Sequence, residues 1–244
     1  MADDDPSLMA TPLPTPLATR LQRYASHCFR AWQPQQGADW RPVASRSALV
    51  APLGEYGAAM LTTATPPLTQ SLASLWSQWH FGLLLPPLLL AALGTERYQL
   101  QPDSLHGRYE RGQPSGFCGH WQPSVEASTD LVSHSLTTLI TRDILRLSEQ
   151  TGLTPKILWG NVAAIVDWLL LQVGDEQALA LRHGLLFDEQ AKPAGPLTRL
   201  MLPPPHCGQR RRCCLRFRLD EVDYCGGCPM QRTRRRRFEV DSQG

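Results

Sequence analysis

The sequence predicts an α+β protein with a predominantly α-helical body, a small strand and hairpin region, and a compact cysteine-rich C-terminal module. Three observations carry this. Apolar residues recur at helical spacing over most of residues 17–186. The helical period lapses between Arg97 and Trp121, where glycine, proline and aromatics take over. Four of the seven cysteines crowd into sixteen residues, "CCLRFRLDEVDYCGGC". At 244 residues, 42% of them hydrophobic, the chain is long enough for one sizeable buried core and a small appendage.

Residues 1–16, rich in Pro, Thr and Asp, read as a disordered leader. They lack a basic stretch followed by an apolar core, so no secretory signal is expected. Leu17–Trp32 reads as one amphipathic helix, with Leu17, Leu21, Tyr24 and Cys28 on a stripe. Leu68–Leu93 reads as two helices parted at Pro86-Pro87. Its apolar run, Phe81–Gly94, is fourteen residues long, whereas a spanning helix needs about 20, so no transmembrane segment is expected. Short strands follow, with a hairpin near Gly112–Pro114.

The next helix carries Leu136, Leu139, Ile140, Asp143, Ile144 and Leu147 on one face and closes at Gly152. Thr154-Pro155 then marks a helix start, a capping hydroxyl before a proline at the first helical position. That helix runs Leu158, Val162, Ile165, Val166, Leu169 and Val173 along its core face to a stop at Gly174. A shorter helix spans Glu176–Leu186. Prolines 193, 196 and 203–205 read as a linker, which divides the chain into a leader (1–16), a helical body (17–204) and a C-terminal cysteine region with an Arg-rich tail (205–244).

Charge is unevenly spread. From His206 onward ten arginines face five acids, while the rest of the chain holds fourteen basic and seventeen acidic residues. Something anionic is expected at the cysteine-rich end. Cys225-Gly226-Gly227-Cys228 suits a metal knuckle, since two glycines let the backbone turn and free amides to face sulfur. Cys213 and Cys214 are adjacent, unlike the spaced ligands of a zinc knuckle, and in extended backbone their side chains diverge. Two irons accept such a pair with less distortion than one ion. Spacing alone leaves zinc and an iron–sulfur cluster open, with a redox dithiol behind them.

The arrangement Cys-Cys-x10-Cys-x2-Cys, followed by Pro229, resembles the C-terminal signature of the ferric-siderophore reductases, the FhuF-like family. "KILWGNVAAIVDWLL" is similar to that family's long helix, and the order of parts agrees. The resemblance implies one 2Fe-2S cluster per chain, held by Cys213, Cys214, Cys225 and Cys228. It implies an oxidoreductase that reduces Fe(III) in a hydroxamate-type siderophore by one electron, in the cytoplasm or peripherally at the inner membrane. The partners implied are the ferric siderophore and an electron donor, a ferredoxin-like protein or a soluble reductant. Cys207 and the Arg234–Arg237 run stand outside the motif.

Arg210–Arg212, Arg216 and Arg218 are expected to favour the more negative reduced cluster. Candidate siderophore contacts are His106, Arg108, Tyr109, Arg111, His120 and Trp121, set against the plainer reading of an ordinary polar hairpin. His27, His80, His134 and His183 read as core or surface residues. Asp143, on an apolar stripe, needs a buried partner, and Asn161 and Asp167 are polar residues within helices. The alternatives are a zinc-stabilised module whose basic tail contacts nucleic acid, or an iron–sulfur scaffold without reductase activity. The acidic body and the missing aromatic–basic interleaving argue against nucleic acid. No G-x-G-x-x-G follows a strand, so electrons are expected from another molecule rather than bound NAD(P)H.

Overall fold

A computed structural model of the chain describes residues 12–33, 39–43, 49–60, 69–190, 195–206, 208–219 and 222–231. Residues 1–11 of the expected leader, Cys207 and the Arg234–Arg237 run lie outside them. The leader gives way earlier than expected, because helix α1 starts at Thr15 with Pro16 in its first turn.

The single helix expected over Leu17–Trp32 is two, α1 (Thr15–Tyr24) and α2 (Ser26–Ala31). Ala25, at φ −150° and ψ 62°, breaks the run. Leu17, Leu21 and Cys28 are nonetheless all buried, so the stripe is used by two short segments that turn together. The opposite correction applies next. After β1 (Arg41–Pro42) and α3 (Val50–Met60), one helix, α4 (Thr69–Ala92), runs straight through Pro86-Pro87.

Two prolines inside a helix orphan two carbonyls, those of Gly82 and Leu83 four residues earlier. Both find partners on α2 and its cap. The Cys28 thiol donates to the Gly82 oxygen at 3.2 Å, and the Trp32 indole N–H donates to the Leu83 oxygen at 2.9 Å. Tertiary donors thus replace the missing backbone ones. Arg20 of α1 secures the far end of α4, donating to the Leu90 and Leu93 carbonyls and to Glu96 at 2.7 Å.

Helix α4 is buried along most of its length, including Ser71, Ser74, Ser77 and His80, and forms the axis of the core. The expected strands are β2 (Arg97–Leu100), β3 (His106–Glu110), β4 (Gln113–Cys118) and β5 (Trp121–Ser124). They form two antiparallel sheets, ordered β1-β3-β4 and β2-β5. Glu110 pairs with Gln113, so the β3–β4 turn is the two residues Arg111 and Gly112, at φ 50° and 76°. A Cβ on Gly112 would collide with the backbone of Pro52 and Tyr56, because the hairpin tip presses on α3. The Trp76 indole of α4 donates to the Gly112 oxygen at 2.8 Å, holding that tip from the other side.

Helices α5 (Ser128–Ser135) and α6 (Thr141–Thr151) join through a π-helical turn, Leu136–Ile140. Then come α7 (Pro155–Val173) and α8 (Glu176–Leu186). The stops at Gly152 and Gly174 are left-handed caps as the sequence suggests. Thr154 occupies the N-cap of α7, but its hydroxyl makes no capping bond and Pro155 alone sets the start. Helix α7 is long and apolar enough to cross a membrane by length and composition. It packs on α4 and α8 as an internal helix, with Leu158, Val162, Val166 and Leu169 buried and Ile165 and Val173 half-buried.

Most of the buried polar residues are paired, Ser71 being an exception whose hydroxyl has no partner among the described residues. Asp143 accepts from His80 Nε2 at 2.9 Å and from Arg142 at 3.1 Å, which supplies the partner its apolar stripe demands. Asn161 donates to Ser77 Oγ at 2.8 Å and to Ser74 at 3.1 Å, and Asp167 pairs with Arg182 at 2.6 Å.

The rescue of the proline-orphaned carbonyl is testable by a double-mutant cycle. Trp32→Phe should cost about 1–3 kcal/mol in thermal or denaturant unfolding, because the Leu83 carbonyl loses its donor. Pro87→Ala restores a backbone N–H, so the same Trp32→Phe change should cost clearly less in that background. Additive losses would reject the account.

Candidate functional site

The C-terminal segment reaches the body through a narrow loop. Met201 and Arg210 form an isolated antiparallel bridge, Leu202 N–H donates to Gln209 at 2.9 Å, and Arg211 N–H donates to Leu200 at 3.0 Å. Two residues of α7 grip this loop. Asp167 accepts the Gly208 N–H at 2.8 Å, and Asn161 accepts from the Arg210 guanidinium. Arg210 is only 8% exposed, its charge held in the molecule by the neutral amide of Asn161.

Beyond that anchor the four predicted thiols come together. Cys214, Cys225 and Cys228 are buried in one cluster, with Cys213 and Tyr224 packed against it. Cys214 and Cys225 lie 3.5 Å apart, sulfur to sulfur, while Cys213 makes its thiol contact with Cys228. The adjacent pair therefore diverges, each sulfur meeting a different half of the C-x-x-C. Metal–sulfur bonds of about 2.3 Å at a tetrahedral centre put two thiolates roughly 3.8 Å apart, close to the Cys214–Cys225 spacing. Two pairs suit a two-iron cluster, and the residues present fit that group.

Backbone geometry arms the sulfurs. Leu215 sits at φ 63°, left-handed and unusual for a branched side chain. That turn brings the Leu215 N–H to Cys213 Sγ at 3.3 Å and the Arg216 N–H onto Cys214. Successive amides facing an anion form a nest, which justifies a strain of about 1–2 kcal/mol at Leu215. These amides are not the ones the sequence suggested, and neither Gly226 nor Gly227 has a positive φ. The second glycine is needed for space. A Cβ on Gly227 would collide with the Gly208 carbonyl, and Gly227 accepts from Arg210 N–H at 3.2 Å.

The same groups tune the thiols. The Cys214 thiol is pulled down to about 5, first by the hydrogen bond from Cys225, then by the Arg210 charge and the amide nest. Cys225, the donor, is pushed up. Cys213 is raised chiefly by burial, against the opposing Leu215 N–H. The two cysteines outside the cluster differ in kind. Burial alone raises Cys28 to about 12 and Cys118 to about 11, marking them as core thiols. The ten residues between the pairs are braced by Phe217 stacked on Tyr224, centroids 5.8 Å apart.

The arginines divide. Arg210 and Arg216 are in direct electrostatic or hydrogen-bonding reach of Cys214, whereas Arg211, Arg212 and Arg218 are exposed. The expected siderophore contacts also separate. Arg111 is exposed at the hairpin tip. Arg108 lies over the Trp40 ring at 5.9 Å and pairs with Glu110 at 3.6 Å. Tyr109 stacks on Trp76 in the interior, and Trp121 is buried 5.5 Å from Trp32. Half-buried His106 contacts the Ser104 oxygen through Nδ1 at 3.0 Å, and His120 is half-buried near Ser104. Among the four helical histidines, His80 is a core residue and His27, His134 and His183 are exposed.

Arg111, Glu110, Gln113 and Ser115 line a cavity of about 600 Å³ whose other wall is Tyr56 and Ala59 of α3. Tyr56 carries no motif, and periodicity gave no reason to single it out. The readable signal was "ERGQ", an arginine where a two-residue hairpin favours Asn, Asp or Gly.

Fold and site together define a helical protein with a four-thiolate, arginine-flanked iron–sulfur module at its C-terminus. Two family models match it, one described as ferric iron reductase FhuF-like transporter over residues 120–206, the other as FhuF 2Fe-2S C-terminal domain over residues 210–229. A curated relative, the ferric siderophore reductase of Escherichia coli (strain K12), is 31% identical over 172 residues, which cover 66% of this chain and 66% of the relative. The chain belongs to the FhuF-like family, and its cofactor is a 2Fe-2S cluster.

Two outcomes follow. Gly227→Val should abolish the visible cluster absorbance and the bound iron and sulfide, while Cys118→Ala retains them. Arg210→Gln should shift the midpoint potential negative by tens of millivolts, the one-electron equivalent of about 1–2 kcal/mol, with Arg210→Lys close to wild type by protein-film voltammetry.

Proposed function

We propose that this chain reduces Fe(III) in a hydroxamate-type siderophore by one electron and releases Fe(II) on the cytoplasmic side of the membrane. The observation that carries this is the pairing of four thiols beside the buried Arg210 in a module anchored to the helical body. When bound, the cluster supplies a one-electron couple. Hard oxygen donors hold Fe(III) far more tightly than Fe(II), so reduction alone loosens the chelate.

The chain's own residues then have limited tasks. Cys213, Cys214, Cys225 and Cys228 hold the cofactor, and the Leu215 and Arg216 amides stabilise thiolate charge. Arg210 offsets the added negative charge of the reduced state, which favours accepting an electron. Exposed Arg211, Arg212 and Arg218 suit an acidic donor such as a ferredoxin-like protein, a soluble reductant being the other source.

The test is anaerobic purification with a visible spectrum and iron, sulfide and zinc assays on one sample. A red-brown protein with two irons and two sulfides, bleached by dithionite and recoloured by a ferric tris-hydroxamate, is the expected result. Stoichiometric zinc in a colourless protein would sink it. A cluster that is reduced yet passes its electron to no chelate would leave a scaffold.

A further inference from the structure

The β3–β4 hairpin holds a feature that neither the cluster nor the core explains. Arg111 occupies the first position of a two-residue turn at φ 50°, followed by Gly112 at φ 76°. Both positions of such a turn require φ above zero, and Asn, Asp or Gly meets that demand with little strain. Arginine does not. No core contact repays it, since Arg111 is exposed and makes no hydrogen bond or ion pair among the described residues. Strain held at an exposed charged residue is a signature of ligand contact.

What Arg111 faces is a built space. The cavity of about 600 Å³ lies between the hairpin and α3, within the range of roughly 300–1,000 Å³ common for small-molecule sites. Its lining offers donors: the Arg111 guanidinium, the Gln113 amide and the Tyr56 hydroxyl. Its one carboxylate, Glu110, is engaged by Arg108 at 3.6 Å. An acceptor-rich ligand is favoured, and a metal chelate presenting a shell of oxygens is such a ligand. Trp79 of α4, 46% exposed, hydrogen-bonds the Tyr56 hydroxyl and offers an aromatic rim.

The cavity is also wired to the cofactor module. The 3-10 turn Arg216–Arg218 packs on α4. The Arg216 backbone N–H reaches Cys214, while its guanidinium acts electrostatically on Tyr56. Its Nε is buried without a partner among the described residues. One residue therefore meets a cluster ligand at its backbone, while its side-chain charge is felt at the cavity wall.

We propose that this cavity receives the oxygen-coordinated ferric chelate, gripped by Arg111 and bounded by Tyr56, Gln113 and Ser115. The identity of the ligand rests on the reductase reading; the location of the site does not.

The gallium(III) complex of a tris-hydroxamate mimics the ferric one but is not reduced, so it reports binding alone. Titrated into the cluster-loaded protein and followed by calorimetry and tryptophan fluorescence, it should bind saturably. Arg111→Asn should weaken that binding roughly tenfold or more while raising the melting temperature by about 2–4 °C, because asparagine accepts the turn. Tyr56→Phe, which keeps the ring, should weaken binding several-fold. Cluster absorbance should be unchanged in both variants, as should reoxidation by ferricyanide, which needs no pocket.

Wild-type affinity in Arg111→Asn overturns the site, as does a loss of binding accompanied by a lower melting temperature. No gallium binding by the wild-type protein overturns it as well. The two readings separate cleanly. Reoxidation by the ferric chelate that is indifferent to Arg111→Asn keeps the reductase and removes this site. Gallium binding lost in the variant, with no electron passed by the wild type, keeps the site and removes the reductase.

Discussion

The polar grip of α7 on the loop before the cysteines is the constraint on which the site depends. Asn161 and Asp167 lie six residues apart in an apolar helix, fully buried, and both reach the same short stretch of chain. Asp167 fixes Gly208, whose carbonyl in turn limits residue 227 to glycine. Asn161 fixes Arg210, whose charge acts on Cys214. Buried polar groups cost stability unless paired, and here every such group is paired with the module it holds. The helical body thus sets both the position and the charge environment of the thiols.

Satisfying orphaned backbone groups recurs elsewhere as a way of joining elements. The prolines of α4 free two carbonyls, and α2 supplies a thiol and an indole to meet them. The same helix offers Trp76 to the hairpin tip and Ser74 and Ser77 to Asn161. Helix α4 is therefore the shared neighbour of the N-terminal helices, the hairpin and α7. Residues unusual by local rules, such as Pro86, Pro87 and Ser74, are the ones making long-range contacts.

Two non-glycine residues in left-handed backbone sit at the cysteine module and at the cavity edge. Leu215 turns the chain so that amides meet sulfur, and Arg111 carries a guanidinium to the edge of a cavity. Each trades local conformational energy for the placement of a charge or a donor. Arg216 acts on both regions, its backbone N–H on Cys214 and its guanidinium charge on Tyr56.

The sequence by itself determined the helical body, the hairpin, the stops at Gly152 and Gly174, the span of α8 and the four cysteines, because periodicity, turn residues and ligand spacing are local signals. Reading residues 68–93 as two helices failed because the donors that sustain α4 there, Cys28 and Trp32, lie far along the chain, and reading Leu17–Trp32 as one failed at Ala25, where no local residue signals a break. Tertiary structure alone decided that Gly227 is needed for space rather than for its φ, and that Thr154 caps nothing with its hydroxyl. It also decided which arginines face sulfur and which hairpin residues line the cavity. Those choices are made by close approach between segments that no local pattern connects.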